Sequence, residues 1–225
     1  MKYRSIAIDG PAGAGKSTLA KALARALGFL YVDTGAIYRT VALKALRAGA
    51  DPGDPSQVVP LLAGLDIGMD YSPEGEQRMV LEGEDVSQAI REHQVSGITS
   101  KVSAIPEVRA FLLDVQRRLA EEHSVVMDGR DIGTVGHPQA DVKIFLTASP
   151  EARAERRWRE LEQRGQQADL ETVLRDIRQR DDQDEHRAAA PLRQAEDAVL
   201  LDTTRLDLEG SLEALLAIVK ERITA

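Results

Sequence analysis

The side chains with the most legible chemistry lie near the N-terminus, where Ile6-Ala7-Ile8-Asp9 runs into Gly10-Pro11-Ala12-Gly13-Ala14-Gly15-Lys16-Ser17-Thr18. Gly10, Gly15, Lys16 and Ser17 match the phosphate-loop spacing G-x-x-x-x-G-K-[ST]. Phosphate oxygens need several donors at once. Glycines at 10, 13 and 15 let the backbone N–H groups turn inward as an anion nest, and the helix that follows adds its positive N-terminal end. In that geometry Gly10 to Thr18 cradle the phosphates of a nucleotide, Lys16 reaches the β- and γ-phosphates, and the Ser17 hydroxyl is a ligand for Mg2+.

Such a loop must be carried by a strand and a helix. Tyr3 to Ile8 reads as a buried strand, and Lys16 to Leu27 places Leu19, Ala20, Leu23, Ala24 and Leu27 at helical spacing before a stop at Gly28. The alternation returns. Further apolar runs are Phe29 to Val32, Ser124 to Asp128, Val142 to Leu146 and Ala198 to Asp202, each followed by a helical stretch, which predicts a parallel sheet covered on both faces. Asp9, Asp33, Asp128 and Asp202 close these runs, at the sheet edge where ligands bind. A strand-closing aspartate is also an ordinary turn former or helix cap. Asp128, in a chain that already has a phosphate loop, suits the magnesium-holding position.

Between the strands the texture changes. A short helix is expected over Ser56 to Leu62. Leu65 to Tyr71 and Arg78 to Leu81 alternate around a turn at Ser72-Pro73-Glu74-Gly75, which predicts an antiparallel hairpin within an insertion of about 64–90. The core is then 1–63 and 91–225. Helices are expected over Gln94 to Ser103, Pro106 to Glu122, Leu170 to Ala188 and Leu208 to Ile223.

Three basic groups could meet a phosphate. Arg130 and Asp131 follow Asp128 in Asp128-Gly129-Arg130-Asp131-Ile132-Gly133-Thr134, and beside a magnesium site they read as ligand contacts rather than a loop ion pair. Arg153, Arg156 and Arg157 lie on a helix begun by Ser149-Pro150, with Gly165 as a break after it. That helix is either a solvated face of Arg/Glu pairs or a lid, about 151–167, whose arginines neutralise a transferred phosphoryl group and exclude water. Arg180, Asp184 and Arg187, at i, i+4 and i+7, share one helix face, as a ligand site or as an ion-pair ladder.

Composition excludes several classes. A net charge of −8 opposes non-specific nucleic-acid binding, and the absence of cysteine rules out disulfides and thiolate metal sites. The four histidines lack metal-ligand spacing, and no Ser/His or Cys/His nucleophile set is evident. No apolar run is long enough to span a bilayer and no leader precedes the core, so the expected place is the cytoplasm.

The ordered set of Ile8-Asp9-Gly10-Pro11, Asp33-Thr34-Gly35-Ala36-Ile37-Tyr38-Arg39, Asp128 to Thr134, the Arg153/Arg156/Arg157 cluster and Arg180-Asp181-Asp182-Gln183-Asp184 with Arg187 resembles the bacterial cytidylate kinases, over nearly the whole chain. The resemblance implies a three-layer P-loop kinase fold with a five-stranded parallel sheet, a small antiparallel insertion that binds the monophosphate, and a short helical lid. It implies Mg2+-dependent transfer from ATP to CMP or dCMP by a monomer without nucleic-acid or membrane partners. By analogy Thr34, Tyr38, Arg39, Arg130 and Asp131 surround the acceptor, Ser100 and Arg109 contact cytosine, Asp184 takes the sugar hydroxyls, and Arg180 and Arg187 the phosphate. Lys16, Asp128, Arg153 and Arg157 would carry the catalysis. Thr34 stands where many relatives have serine. A kinase for UMP or shikimate shares the same core, whereas a GTPase-like switch would need an Asn-Lys-x-Asp that this sequence lacks.

Overall fold

A computed structural model of the protein describes residues 3–72, 75–163 and 165–224. Its centre is a parallel sheet of β1 (Ser5–Asp9), β2 (Leu30–Asp33), β6 (Val125–Gly129), β7 (Val142–Thr147) and β8 (Val199–Asp202), in the order β2-β6-β1-β7-β8. The strands are short and apolar because both faces are covered. On one face Ile6, Ile8, Ile144 and Leu146 pack against α1 (Lys16–Leu27) and α8 (Leu208–Thr224) through Leu19, Leu23, Leu215 and Val219. On the other, Ala7, Val32 and Met127 meet α2 (Thr34–Arg47), α4 (His93–Ser103) and α5 (Pro106–Glu122) through Ile37, Val41, Val102, Val108 and Leu112. Each of the larger of these side chains, removed from water, contributes about 1.5–3 kcal/mol. The arrangement is the three-layer one that the alternation implies.

Local chemistry sets the ends. α1 starts after Gly15 and stops at Gly28, both left-handed (φ +86° and +67°), and α2 is capped by the Asp33 carboxylate, which accepts the Ala36 N–H at 2.8 Å. The strand expected from Tyr3 begins only at Ser5. The single short helix expected over 56–62 is divided into α3 (Pro55–Val58) and a 3-10 turn, Val59–Leu62, since Pro60 has no N–H with which to continue an α-helix.

The insertion contains β3 (Ile67–Tyr71) and β4 (Gln77–Leu81), with Pro73 and Glu74 of the expected turn outside the described residues. A third strand, β5 (Glu84–Asp85), follows a two-residue turn in which Glu82 and Gly83 both have positive φ (52° and 84°). Side chains fasten this sheet to the core. Tyr71 OH donates to the Tyr31 carbonyl (3.0 Å), and Gln77 Oε1 accepts the Asp33 N–H (2.7 Å) while its Nε2 donates to the Asp33 carbonyl (3.3 Å). Finally, α6 (Pro150–Gln163) and α7 (Leu170–His186) lie against each other through Ala154, Val173 and Ile177.

Candidate active site

The phosphate loop joins the C-terminal end of β1 to α1. Gly10 has φ +148°, and a Cβ there would lie 1.9 Å from the Leu146 carbonyl oxygen of β7, so the loop can pass only without a side chain. Lys16 folds back over the loop, its Nζ donating to the Pro11 carbonyl at 2.7 Å. Burial, followed by the nearby Arg130 charge, lowers its pKa. An anion bound in the loop would favour its charged form.

Asp33 and Asp128 stand opposite each other at the ends of β2 and β6. Asp128 Oδ2 accepts from Ser17 Oγ and Oδ1 from Tyr31 OH, each at 2.8 Å. Thr34 Oγ1 donates to the Asp128 carbonyl at 2.7 Å, which ties the start of α2 to the same strand end. Burial, and then the Asp33 carboxylate, raise the Asp128 pKa. These hard oxygens fit Mg2+, which takes one or two protein ligands and completes its shell with phosphate and water. Asp9 is used differently: its two oxygens accept the N–H groups of Ile132 (2.8 Å) and Gly133 (2.7 Å), anchoring the turn after β6. That turn, Ile132–Gly136, is π-helical, a feature that no local sequence signal announced.

Across from the loop the basic residues converge. Arg39 Nη2 is held by Asp33 Oδ2 (2.7 Å) and Arg130 Nε by Asp184 Oδ2 (2.8 Å). Asp131 is bridged by Arg109 on one oxygen and by Arg187 Nη2 (3.0 Å) on the other. The Arg109 guanidinium also lies over the Tyr38 ring, 5.5 Å from its centroid, and donates to the Ser103 carbonyl at 3.3 Å, one turn beyond Ser100 on α4. Burial opposes ionisation of Asp184, yet Arg130, Arg180 and Arg187 hold its pKa below the ordinary value. Arg180 has the reverse problem: burial and then the Arg130 charge, with Arg39 and Arg157 also acting on it, push it down to about 10. The buried Nε atoms of Arg39 and Arg180 have no hydrogen-bond partner. Such orphaned donors among like charges call for an anion.

The lid arginines divide. Arg153, expected over a transferred phosphoryl group, is buried, with four of its N–H donors committed within the protein. It grips both oxygens of Asp181 (2.9 and 2.7 Å) and donates to the carbonyls of Ala148 (2.8 Å) and of Ala12 in the phosphate loop (2.9 Å). Arg156 is bound to the Thr203 carbonyl at 2.6 Å. Arg157 pairs with the neighbouring Glu160 (2.8 Å), its side chain 42% exposed, and its charge reaches Arg180. Tyr31, Gln77 and Asp181 thus join the site region without having been singled out. An apolar strand, an insertion strand and an acidic helix face hide them in the sequence.

The phosphate loop, the paired strand-end aspartates and the arginine cluster lie together at the C-terminal edge of the parallel sheet. The family described as cytidylate kinase matches residues 6–221. The chain belongs to the cytidylate kinase family. Among its relatives, the cytidylate kinase of Desulfitobacterium hafniense (strain Y51) is 48% identical over 222 residues, covering 99% of this chain and 95% of the relative. That of Carboxydothermus hydrogenoformans is 50% identical over 214 residues, covering 95% and 96%. A gluconokinase structure from Sinorhizobium meliloti superposes with a TM-score of 0.50 at 16% identity, over 100% of this chain and 96% of the other, a likeness of fold.

Proposed function

We propose that the chain transfers the γ-phosphoryl group of ATP to CMP or dCMP. Its family supports the acceptor, and the single structural observation that supports a second phosphate site is the pair of unpartnered guanidinium Nε atoms of Arg39 and Arg180. ATP phosphates lie in the loop Gly10 to Thr18, with Lys16 leaving the Pro11 carbonyl to meet them. Ser17 and Asp128 would hold Mg2+, which would supply charge neutralisation on the donor phosphates. Tyr38, Arg39 and Arg130 surround the acceptor phosphate and sugar, Arg180 and Arg187 take the phosphate, Ser100 and Arg109 the base and Asp184 the sugar hydroxyls, while Asp131 holds Arg109 and Arg187 in place. Because the protein contributes little covalent chemistry to phosphoryl transfer, holding the two phosphates in line and neutralising their charge is the catalysis. Arg157, half-exposed and acting electrostatically on Arg180, is the lid arginine that completes the clamp by leaving Glu160. Arg153 fastens the lid to the loop. In this reading 64–90 is the monophosphate-binding insertion and about 151–167 the lid of a monomeric, cytoplasmic enzyme. Among the described residues no helix is long and apolar enough to cross a membrane.

The test is ADP release from ATP and Mg2+ with CMP, dCMP, UMP, AMP, GMP and shikimate offered in turn. CMP and dCMP should exceed the others by about tenfold or more in kcat/KM, the difference worth ~1.4 kcal/mol of transition-state binding. Equal or better turnover of shikimate or UMP would overturn the cytosine assignment, and no turnover with any acceptor would overturn the kinase assignment.

A further inference from the structure

The chain leaves α7 through Arg187, whose backbone is extended (φ −63°, ψ 139°), and crosses Ala188-Ala189-Ala190-Pro191 to Leu192. Two hydrogen bonds close this crossing. Arg187 Nε donates to the Ala190 carbonyl at 2.7 Å, and the Leu192 N–H donates to the Asp184 carbonyl at 2.8 Å, with the Leu192 side chain buried. Ala190 has φ +49°. A residue with a Cβ resists that left-handed conformation, and a residue that precedes proline is normally driven to extended backbone. Ala190 overrides both preferences at once. Strain of this kind persists only where the surroundings over-determine it, and it concentrates beside functional groups.

What the strained turn holds is the Arg187 guanidinium. An arginine side chain has several free torsions, and a single ion pair leaves the plane of its head group able to turn. Here Nε is fixed by the Ala190 carbonyl and Nη2 by Asp131, whose other oxygen is taken by Arg109. The two anchors come from different parts of the fold. We propose that Ala190 is a positioning residue for the acceptor site: its left-handed backbone aims a carbonyl at Arg187 Nε and so sets the guanidinium plane that meets the acceptor phosphate. This inference rests on the CMP kinase reading of the arginine cluster. The 188–191 crossing is then part of the substrate site without touching substrate.

The test is a set of four variants of the full chain assayed for CMP and ATP dependence: Ala190→Val, Ala190→Gly, Ala188→Val and Arg187→Ala, plus Ala190→Val combined with Arg187→Ala. Valine is excluded from the left-handed region, whereas glycine enters it freely. Ala190→Val should raise KM for CMP about fivefold or more with KM for ATP within about twofold, while Ala190→Gly and the exposed Ala188→Val should stay within about twofold in both. In the Arg187→Ala background, Ala190→Val should add less than about twofold, because the group it positions is already gone. An Ala190→Val protein that is folded by circular dichroism and keeps the CMP KM of the unsubstituted chain overturns the proposal. So does an equal rise in both backgrounds, which would mark a general loop effect. If the unsubstituted chain itself shows no CMP-dependent turnover, the CMP kinase reading fails and this inference falls with it.

Discussion

Replacing Arg153 by methionine separates a lid clamp from a structural fastener. Arg153 is buried and Asp181 partly so, with side chains 4% and 14% exposed, and they share two hydrogen bonds. Methionine keeps much of the volume but leaves the Asp181 carboxylate without its countercharge and removes donors from the carbonyls of Ala148 and Ala12. Breaking one side of a buried pair costs ~3–5 kcal/mol. For a chain of this length each kcal/mol moves Tm by ~2–4 °C, so Tm should fall by ~6–20 °C. Removing both charges, as in Arg153→Met with Asp181→Leu, should recover at least about half of that loss, since the uncompensated charge accounts for most of it. The assay is thermal unfolding followed by circular dichroism, with kcat measured well below each Tm. A fastener predicts the large Tm loss, its partial recovery in the double variant, and a kcat reduced less than about tenfold. A clamp on the transferred group predicts a kcat loss of ~10²–10³. A Tm within about 2 °C of the unsubstituted chain, with a hundredfold lower kcat, would refute the reasoning.

Asp9 makes stability depend on pH. Burial lifts its carboxyl from 3.8 to about 6 against the opposing hydrogen bonds from Gly133 and Ile132. The folded chain therefore binds this proton more tightly than the unfolded chain; the stabilisation is fully present below pH 3.8 and is lost as pH rises through about 6. The difference amounts to ~3 kcal/mol. Urea unfolding of the protein and of Asp9→Asn between pH 4 and 7 should show this slope only in the former, and parallel curves would contradict it. Gly10→Ala would place a Cβ 1.9 Å from the Leu146 carbonyl. It should lower affinity for ATP, read by equilibrium titration, by about tenfold or more, and unchanged affinity would mean the loop can shift off β7.

The core was open to reading because its signals are local. Gly15, Gly28, Asp33 and the apolar runs each specify a cap or a strand through their own backbone preferences, so the parallel sheet and its helices follow from neighbours in sequence. β5 escaped because two residues are too short for any period, and the π turn at Ile132–Gly136 is imposed from a distance by the Asp9 carboxylate. The site was legible in residue types but not in commitments. That Arg153 spends its donors on Asp181 and the loop, while Arg180 keeps a buried one unpaired, depends on how α6 and α7 pack, and helical spacing says nothing of that. Ala190 and Gln77 are ordinary residues until the fold brings a guanidinium or a strand end to them.

The contact of Gln77 and Tyr71 with β2 has a consequence for solubility. β2 ends one side of the sheet, and an open strand edge with unpaired N–H and C=O groups invites pairing with another chain. On β2 three of those outward groups are occupied: the Tyr31 carbonyl by the Tyr71 hydroxyl, and both the N–H and the carbonyl of Asp33 by the Gln77 amide. Side chains do this without adding a strand, so the edge is shielded against pairing while the insertion stays a separate sheet, held to the core by the burial of Met79 and Leu81 rather than by a ladder.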